Sequence, residues 1–272
     1  MSNTELRILV ATHKPCPLPN DEIYFPIHCG RAVSQLDEES LNWMKNHTYG
    51  DDTGNNISRL NPYFCELTAV YWAWKNYQAL GSPRKIGLCH YRRYFMDMGK
   101  NNEMTAPVHY LRKTITEQFN TYHDPMELQR TISLLQDSVL GSTFIEYLDQ
   151  KKGYFFNMFI LQKEFFFEYC NILFSVLFEL LKNSNWERLD NYQKRMPGFI
   201  AERITGAYLY HLKHKRKVPL HETLTVVPFA NSMTVLKHQI NLIACLSKVV
   251  PEFPRLYSNF LSFQTFIQKH YS

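Results

Sequence analysis

The most informative segment of this chain is Lys85-Ile86-Gly87-Leu88-Cys89-His90-Tyr91-Arg92-Arg93-Tyr94-Phe95. A short apolar run, typical of a buried strand, continues directly into a histidine, a tyrosine and two adjacent arginines. In open α/β sheets, ligands bind outside the carboxyl ends of the strands. Two guanidinium groups at such a strand end suit a phosphate-bearing ligand, because arginine stays protonated and donates bidentate hydrogen bonds.

The two arginines are expected to play different parts. Alternation along a strand would send Arg92 and Arg93 to opposite faces, so we expect one to bind the ligand and the other to brace the loop. The alternative is a strand whose arginines simply lie on a solvated edge. His90 and Tyr91 belong to the same predicted ligand-binding group.

Length and composition restrict the class of protein. The chain has 272 residues, of which 45% are hydrophobic and 20% charged, which is typical of a globular protein of one large or two small domains. The formal net charge of +5 is compatible with phosphate-bearing ligands or an anionic membrane surface. It is too small to indicate a nucleic-acid partner by itself.

The cysteines and the amino terminus indicate a cytoplasmic protein. The six cysteines include no C-x-x-C pair and lie mostly in apolar runs, which predicts buried thiols in a reducing compartment. The first residues lack the basic and apolar regions of a signal peptide. No stretch approaches the roughly 20 apolar residues that cross a membrane.

Strand and helix signals alternate along most of the chain. Strands are predicted at 6–11, 86–90 and 154–161. A helix is predicted to start at Asn61, as N-cap, with Pro62 at its first position and to run past Trp74. Further helices are predicted at 126–136, 165–181 and 196–212. This alternation predicts an α/β, Rossmann-like sheet flanked by helices in residues 1–230, and a helical carboxyl-terminal extension in 231–272.

Two further loops are candidates for ligand contact. Thr12, His13 and Lys14 follow the first strand, where a nucleotide is usually bound, although an ordinary polar loop explains them equally well. Asp51 and Asp52 lie in a turn-rich segment and could accept hydrogen bonds from ribose or sugar hydroxyls, or belong to a surface loop.

Tyr63 could stack on a sugar or a uracil, although most aromatic residues near it fit a helical core.

The sequence does not favour a metal ion. The segment 50–56 lacks the acidic twelfth residue of a calcium-binding loop, and no D-x-D pair follows a predicted strand. We therefore expect no cofactor, and a divalent ion such as Mn²⁺ or Mg²⁺ is not favoured.

Glu202 lies in the first turn of a predicted helix. Its carboxylate could serve as a general base, or only complement the helix dipole. The basic run 213–217 could touch anionic lipid, although such a run is usually a solvated helix end.

Taken together, these motifs resemble a bacterial family long designated a domain of unknown function and found in capsule and O-antigen gene clusters. That family is now associated with galactofuranosyltransferases of a variant GT-A type. The resemblance covers roughly residues 6–212. It is carried by the segments 8–15, 50–58, 61–68, 71–76, 86–95, 157–160 and 198–203.

The resemblance implies a GT-A-like fold and an inverting, UDP-sugar-dependent hexosyltransferase. It would move a sugar such as galactofuranose to a lipid-linked or growing glycan acceptor in capsule, O-antigen (lipopolysaccharide) or exopolysaccharide synthesis. The residues around 12–14 and the two arginines would contact the donor, with Glu202 as general base. Asn157 and Arg203 would face the acceptor.

Two departures from the family pattern weaken parts of this analogy. The family usually has Asp at the position of Asn55 and often Ser at that of Ala201, so the first departure removes a carboxylate from the predicted donor loop. The main alternative from another class is a non-catalytic module that binds glycan or phosphate. A nucleic-acid binder is a weaker alternative.

Overall fold

A computed structural model describes residues 5–100, 103–182 and 190–226 of the chain. Within them, the protein is a mixed α/β fold whose central sheet has eight strands in the order β3-β2-β1-β4-β8-β6-β7, with β9 paired to β6. The strands are β1 (Leu6–Thr12), β2 (Tyr24–His28), β3 (Tyr49–Gly50), β4 (Lys85–His90), β5 (Tyr94–Phe95), β6 (Met104–Tyr110), β7 (Lys152–Tyr154), β8 (Phe159–Gln162), β9 (Leu220–Thr223) and β10 (Thr225–Val226). The predicted α/β class is confirmed.

The strand order places a topological switch point beside β1. The pairs β1–β2, β2–β3 and β1–β4 are parallel, whereas β8 pairs antiparallel with both β4 and β6. The chain leaves β1 toward β2 and β3 on one side and then returns to β4 on the other. A crevice therefore forms between the carboxyl ends of β1 and β4, where ligands bind in open α/β sheets.

The two faces of the sheet carry different cores. On β1, Leu9 and Ala11 join the large apolar core, and Ile8 and Val10 join a smaller cluster on the other face. Strands β5 and β10 pair with each other outside the main sheet and contribute to that smaller cluster.

Eight helices occur in the described residues: α1 (Glu38–His47), α2 (Asn61–Phe64), α3 (Leu67–Lys75), α4 (Ile115–Tyr122), α5 (Pro125–Leu135), α6 (Gly141–Leu148), α7 (Lys163–Lys182) and α8 (Met196–His214). Capping residues in the sequence mark where two of these helices begin. Thr114 and Glu117 form a capping box at α4, and Asp124 caps α5, which begins with a proline. None of the described helices is both long and apolar enough to cross a membrane.

Helix α8 is buried on nearly all sides because it packs against α2, α6 and α7. Its small residues permit this packing. A side chain at Gly206 would collide with the Tyr147 hydroxyl of α6, so only glycine allows that approach. The carboxylate of Glu202 and its neighbours are thereby held on a rigid element.

Two predicted elements differ from the structure. The helix predicted from Asn61 is interrupted at Cys65, whose φ of 50° separates α2 from α3. Asn61 does not cap it, because its side chain donates to the Cys65 carbonyl instead. The strand predicted at 154–161 is two strands, β7 and β8, joined by a turn.

Two other predictions concern the carboxyl-terminal part of the chain. In the basic run 213–217, Lys213, Lys215 and Arg216 form ion pairs with Glu222, Glu146 and Glu168. The predicted helical extension 231–272 lies outside the described residues.

Glu222 connects three elements at the β9 end of the sheet. Its carboxylate accepts hydrogen bonds from Lys152 Nζ (2.6 Å), Lys213 Nζ (2.7 Å) and the Tyr154 hydroxyl (2.7 Å). Burial alone would raise the pKa of Glu222, but the hydrogen bonds from Lys152, Lys213 and Tyr154 outweigh it and hold the pKa below its ordinary value.

We expect Glu222→Gln to lower the free energy of unfolding by about 2 kcal/mol at pH 7, because two ammonium groups lose their anionic partner. A depressed carboxyl pKa contributes stability that is present above the ordinary value of 4.5 and is lost as the pH falls through the folded value. The difference between mutant and wild type in urea unfolding should therefore shrink below pH 4.5. A constant difference down to pH 3 would contradict this account.

Candidate functional site

A cavity of about 420 Å³ lies at the carboxyl ends of β1, β2 and β4, which is the switch point of the sheet. Segments from five parts of the chain form its wall. The lining residues are Ala11, Thr12, His13, Cys29, Asn61, Pro62, Cys65, Glu66, His90, Tyr91, Arg92, Asn191, Lys194 and Arg195. The cavity thus brings together five of the predicted site residues: Thr12, His13, His90, Tyr91 and Arg92.

One side of this cavity is cationic and is organised around Tyr91. The His13 ring packs edge-on against the Tyr91 ring at 5.4 Å, and Lys14 Nζ and the Arg92 guanidinium lie 5.7 and 5.8 Å from the same ring centroid. Burial lowers the pKa of His13, and the positive charges of Lys14, Arg92 and Arg195 lower it further. This side therefore concentrates positive charge where an anionic group could be neutralised.

Glu66 supplies a carboxylate to the same cavity. The Asn157 amide, which is only 3% exposed, donates to Glu66 Oε1 at 2.8 Å. Asn157 is itself held by Thr205, whose hydroxyl donates to Asn157 Oδ1 at 3.0 Å. The carboxylate is thus oriented by a buried polar chain that reaches into α8.

Cys65, next to Glu66, has a φ of 50° and a ψ of −131°, which is rare for a residue with a side chain. Burial, together with the nearby negative charge of Glu66, raises the pKa of its thiol to about 11. Arg195 Nε donates to Cys65 Sγ at 3.2 Å. The unusual backbone turns the chain so that Cys65 and Glu66 both line the cavity.

The turn at Phe156-Asn157 links the remaining polar groups. Both residues have positive φ, 67° and 54°. The Phe156 N–H donates to Glu202 Oε1 at 2.6 Å, and its carbonyl lies 2.6 Å from His90 Nε2. One strained turn therefore fixes His90 and, through Asn157, Glu66 as well.

Neither Glu202 nor Arg203 lies among the cavity-lining residues. Both oxygens of Glu202 are engaged, since Oε1 accepts from Phe156 N and Oε2 pairs with Arg203 Nη1 at 2.6 Å. Arg203 is 2% exposed and contacts the Phe119 and Phe155 rings. This arrangement holds the Phe156-Asn157 turn against α8. It does not bring Glu202 to the cavity that the predicted base would need.

Arg92 and Arg93 lie in different surroundings. Arg92 lines the cavity, and the Arg93 guanidinium lies 4.3 Å from the Phe156 ring centroid instead. Burial lowers the pKa of Arg93, as does Arg92, whereas Glu202 and Glu66 act in the opposite direction. Arg93 therefore braces the turn while its neighbour faces the cavity.

Asp51 and Asp52, the predicted donor-contacting carboxylates, are not among the residues that line the cavity. Asp51 is fully buried, and four donors occupy its carboxylate: the N–H groups of Gly30 and Arg31 and the hydroxyls of Ser58 and Thr68. Asp52 pairs with Arg31 at 2.6 Å. Both carboxylates thus hold the loops together.

Tyr63 packs against the large apolar core and is not among the residues that line the cavity, so its predicted stacking role is not supported by its position.

Sequence reasoning missed three charged cavity residues. Glu66 was not predicted as a site residue because the helix predicted from Asn61 includes it. In the structure, the helix is interrupted at Cys65, just before Glu66. Lys194 and Arg195 form a basic pair just before Met196-Pro197, where α8 begins. A basic pair next to a helix start was the available signal.

The described residues contain no group of three or more His, Cys, Asp and Glu side chains that could hold a metal ion. Asp51 could not serve as a ligand without losing its four hydrogen bonds. The predicted independence from metal stays a prediction.

The sequence profile of a family described as a domain of unknown function, DUF4422, matches residues 7–107 and 101–215. No curated protein is significantly similar to the chain.

One solved structure has a similar fold. It is the apo structure of WbbM, a bifunctional glycosyltransferase, with a TM-score of 0.73 and 24% sequence identity. The match covers 84% of this chain and 46% of WbbM, so the chain spans less than half of that protein. At this identity the similarity establishes a shared fold.

We expect Asp51→Ala to lower the free energy of unfolding by about 3 kcal/mol, because four donors lose their acceptor in a buried place. Asp52→Ala is the matched control and should cost about 1 kcal/mol or less, since its ion pair is partly exposed. Urea unfolding checks both. Equal losses for the two variants would show that the four hydrogen bonds of Asp51 do not stabilise the loop.

Proposed function

Since this chain belongs to the DUF4422 family and shares its fold with a solved glycosyltransferase, we propose that it is a glycosyltransferase that moves a sugar from a UDP donor to a glycan hydroxyl. The observation that carries the proposal is the cavity at the switch point. It combines a cationic side with an oriented carboxylate, and both are what glycosyl transfer from a diphosphate donor requires.

The cationic side would bind the diphosphate of the donor. Arg92 offers bidentate donors, and Lys194 and Arg195 add charge from the segment before α8. Burial and the positive charges of Lys14, Arg92 and Arg195 keep the pKa of His13 low, so it would act as a neutral hydrogen-bonding partner at pH 7. Thr12, at the end of β1, lines the same wall.

We assign the general base to Glu66 in place of Glu202. In the proposed step, the Glu66 carboxylate takes the proton of the acceptor hydroxyl while the hydroxyl oxygen forms a bond to the anomeric carbon. The bond from that carbon to the phosphate oxygen breaks, and its electron pair leaves with UDP. Attack from the face opposite the leaving group inverts the anomeric configuration.

Glu202 and Arg93 support this site indirectly. Glu202 accepts from the Phe156 N–H and pairs with Arg203, and Arg93 covers the Phe156 ring. Together they hold the turn at Phe156-Asn157. Asn157 then orients Glu66 through its hydrogen bond. They are positioning residues in this proposal, and Asn157 acts through Glu66 rather than on the acceptor.

The identity of the sugar and of the product is proposed from the resemblance of the sequence motifs to the galactofuranosyltransferase-associated family. We take the sugar to be galactofuranose and the product to be a capsule, O-antigen or exopolysaccharide glycan built on a lipid carrier. A loose membrane contact would accompany such an acceptor, but the carboxylate partners of Lys213, Lys215 and Arg216 weaken the case for the basic run as its site. A non-catalytic glycan- or phosphate-binding module is the second candidate, since the cationic side alone would serve it.

Removing the Arg92 guanidinium should weaken UDP binding. We expect Arg92→Ala to raise the Kd for UDP by about 10- to 100-fold, which corresponds to the loss of one charged hydrogen-bonding group. Calorimetry in the presence of EDTA measures it and also shows whether binding needs a metal. Arg84→Ala is the matched control, because Arg84 is 70% exposed and precedes the opposite end of β4.

An unchanged Kd in Arg92→Ala would remove the guanidinium from the donor site. Binding that occurs only after addition of Mn²⁺ would contradict the metal-independent proposal.

The base assignment is tested by comparing two carboxylates. We expect Glu66→Gln to reduce sugar transfer by about 100-fold or more, with the Kd for UDP unchanged, because a general base contributes about that much. Glu202→Gln should lower the Tm and reduce transfer less than tenfold. Transfer from UDP-galactofuranose to a synthetic galactoside measures the rates.

The reverse result, an active Glu66→Gln and an inactive but stable Glu202→Gln, would return the base to Glu202. If wild type and both variants bind UDP but none transfers sugar to any acceptor or to water, the non-catalytic module is correct.

A further inference from the structure

Three rings form a stack at the start of α8, beside the cavity. The His123 ring lies 4.2 Å from the Phe199 ring centroid at an angle of 27°, and 5.9 Å from the Tyr192 ring at 17°. Tyr192 also contacts Phe199 at 5.2 Å. We call these three residues the aromatic stack.

The aromatic stack is most accessible at Tyr192, and Phe199 is half-buried. Tyr192 is 47% exposed, whereas His123 is 9% exposed. The buried ring beneath fixes the orientation of the exposed one, so little conformational entropy is lost when a ligand packs on it. An exposed aromatic ring that rests on a buried one suits a binding contact.

The stack adjoins the donor cavity through the segment that carries Tyr192. Asn191, Lys194 and Arg195 line the cavity, and Tyr192 is between them in sequence. The Arg195 guanidinium lies 5.3 Å from the Phe199 ring centroid, while its Nε donates to Cys65 in the cavity wall. Arg195 therefore contacts both places.

The charge of the stack argues for a neutral ligand. Burial, together with the positive charge of Arg203, lowers the pKa of His123 to about 4, so the imidazole is uncharged at pH 7. A sugar ring matches such a surface, because one face presents C–H groups to an aromatic ring while the hydroxyls at its edge remain free to accept hydrogen bonds from a guanidinium.

We infer that Tyr192, resting on His123 and Phe199, binds a neutral sugar ring of the acceptor glycan, with Arg195 at the border between acceptor and donor. This inference rests on the proposed function, since it names the acceptor side of the same site. It places the acceptor next to Glu66, because Arg195 and Glu66 line one cavity.

The test measures sugar binding without catalysis. Saturation-transfer NMR with methyl β-D-galactopyranoside and methyl β-D-galactofuranoside is recorded on the full chain, with UDP binding measured on the same samples. We expect Tyr192→Ala to weaken sugar binding by about tenfold, as loss of an aromatic contact does, and Tyr192→Phe to retain it. Tyr122→Ala is the matched control, because Tyr122 is 60% exposed and is not one of the three rings.

Equal sugar binding by wild type and Tyr192→Ala, or no saturation transfer to either glycoside in the wild type, would overturn the inference. So would an equal loss in Tyr122→Ala, since the effect would then not depend on the stack. Failure of the proposed function gives a different pattern: the glycoside binds in a Tyr192-dependent way, but UDP does not bind.

Discussion

The site depends on one strained turn, Phe156-Asn157, between β7 and β8. Two consecutive residues with side chains adopt positive φ there, which costs about 1–3 kcal/mol each and persists only where the surroundings impose it. Glu202 and His90 bind the backbone of Phe156, and Asn157 reaches Thr205 and Glu66. If the turn relaxed to ordinary backbone angles, these contacts would be lost together.

The charged side chains fall into two groups: some are paired with other groups inside the protein, and others line the cavity. Glu202, Arg203, Asp51 and Glu222 are each paired inside the protein, where an unpaired charge would be costly. Arg92 and Lys194 line the cavity and have no carboxylate partner among the ion pairs found in the described residues. This division indicates which groups are available to an anionic ligand. It also explains why a carboxylate that looks catalytic in sequence can serve a structural purpose.

The sequence predicted the α/β class and most long elements, because periodicity and capping are local signals. Helices α5, α7 and α8 lie within a few residues of their predicted positions, and the strand end at His90 lies at the cavity as expected. The break at Cys65 was not predictable, since nothing in the local residues requires a positive φ there. For the same reason Glu66 was missed. The pairing of Glu202 with Arg203 and Phe156 depends on tertiary packing, which no local pattern reports.

The order of the strands has a consequence for how the protein folds. Strand β4 must pair with β1 after a long intervening segment, and β6 pairs in parallel with β9, which lies more distant still along the chain. Contacts between such remote segments form slowly, because the chain loses conformational entropy before the stabilising contacts are made. The cavity draws its wall from residues 11 to 195, so it exists only once segments that lie far apart along the chain, β1 and β4 among them, have come together. A nascent or truncated chain should therefore acquire ligand affinity late and all at once, rather than in proportion to its length.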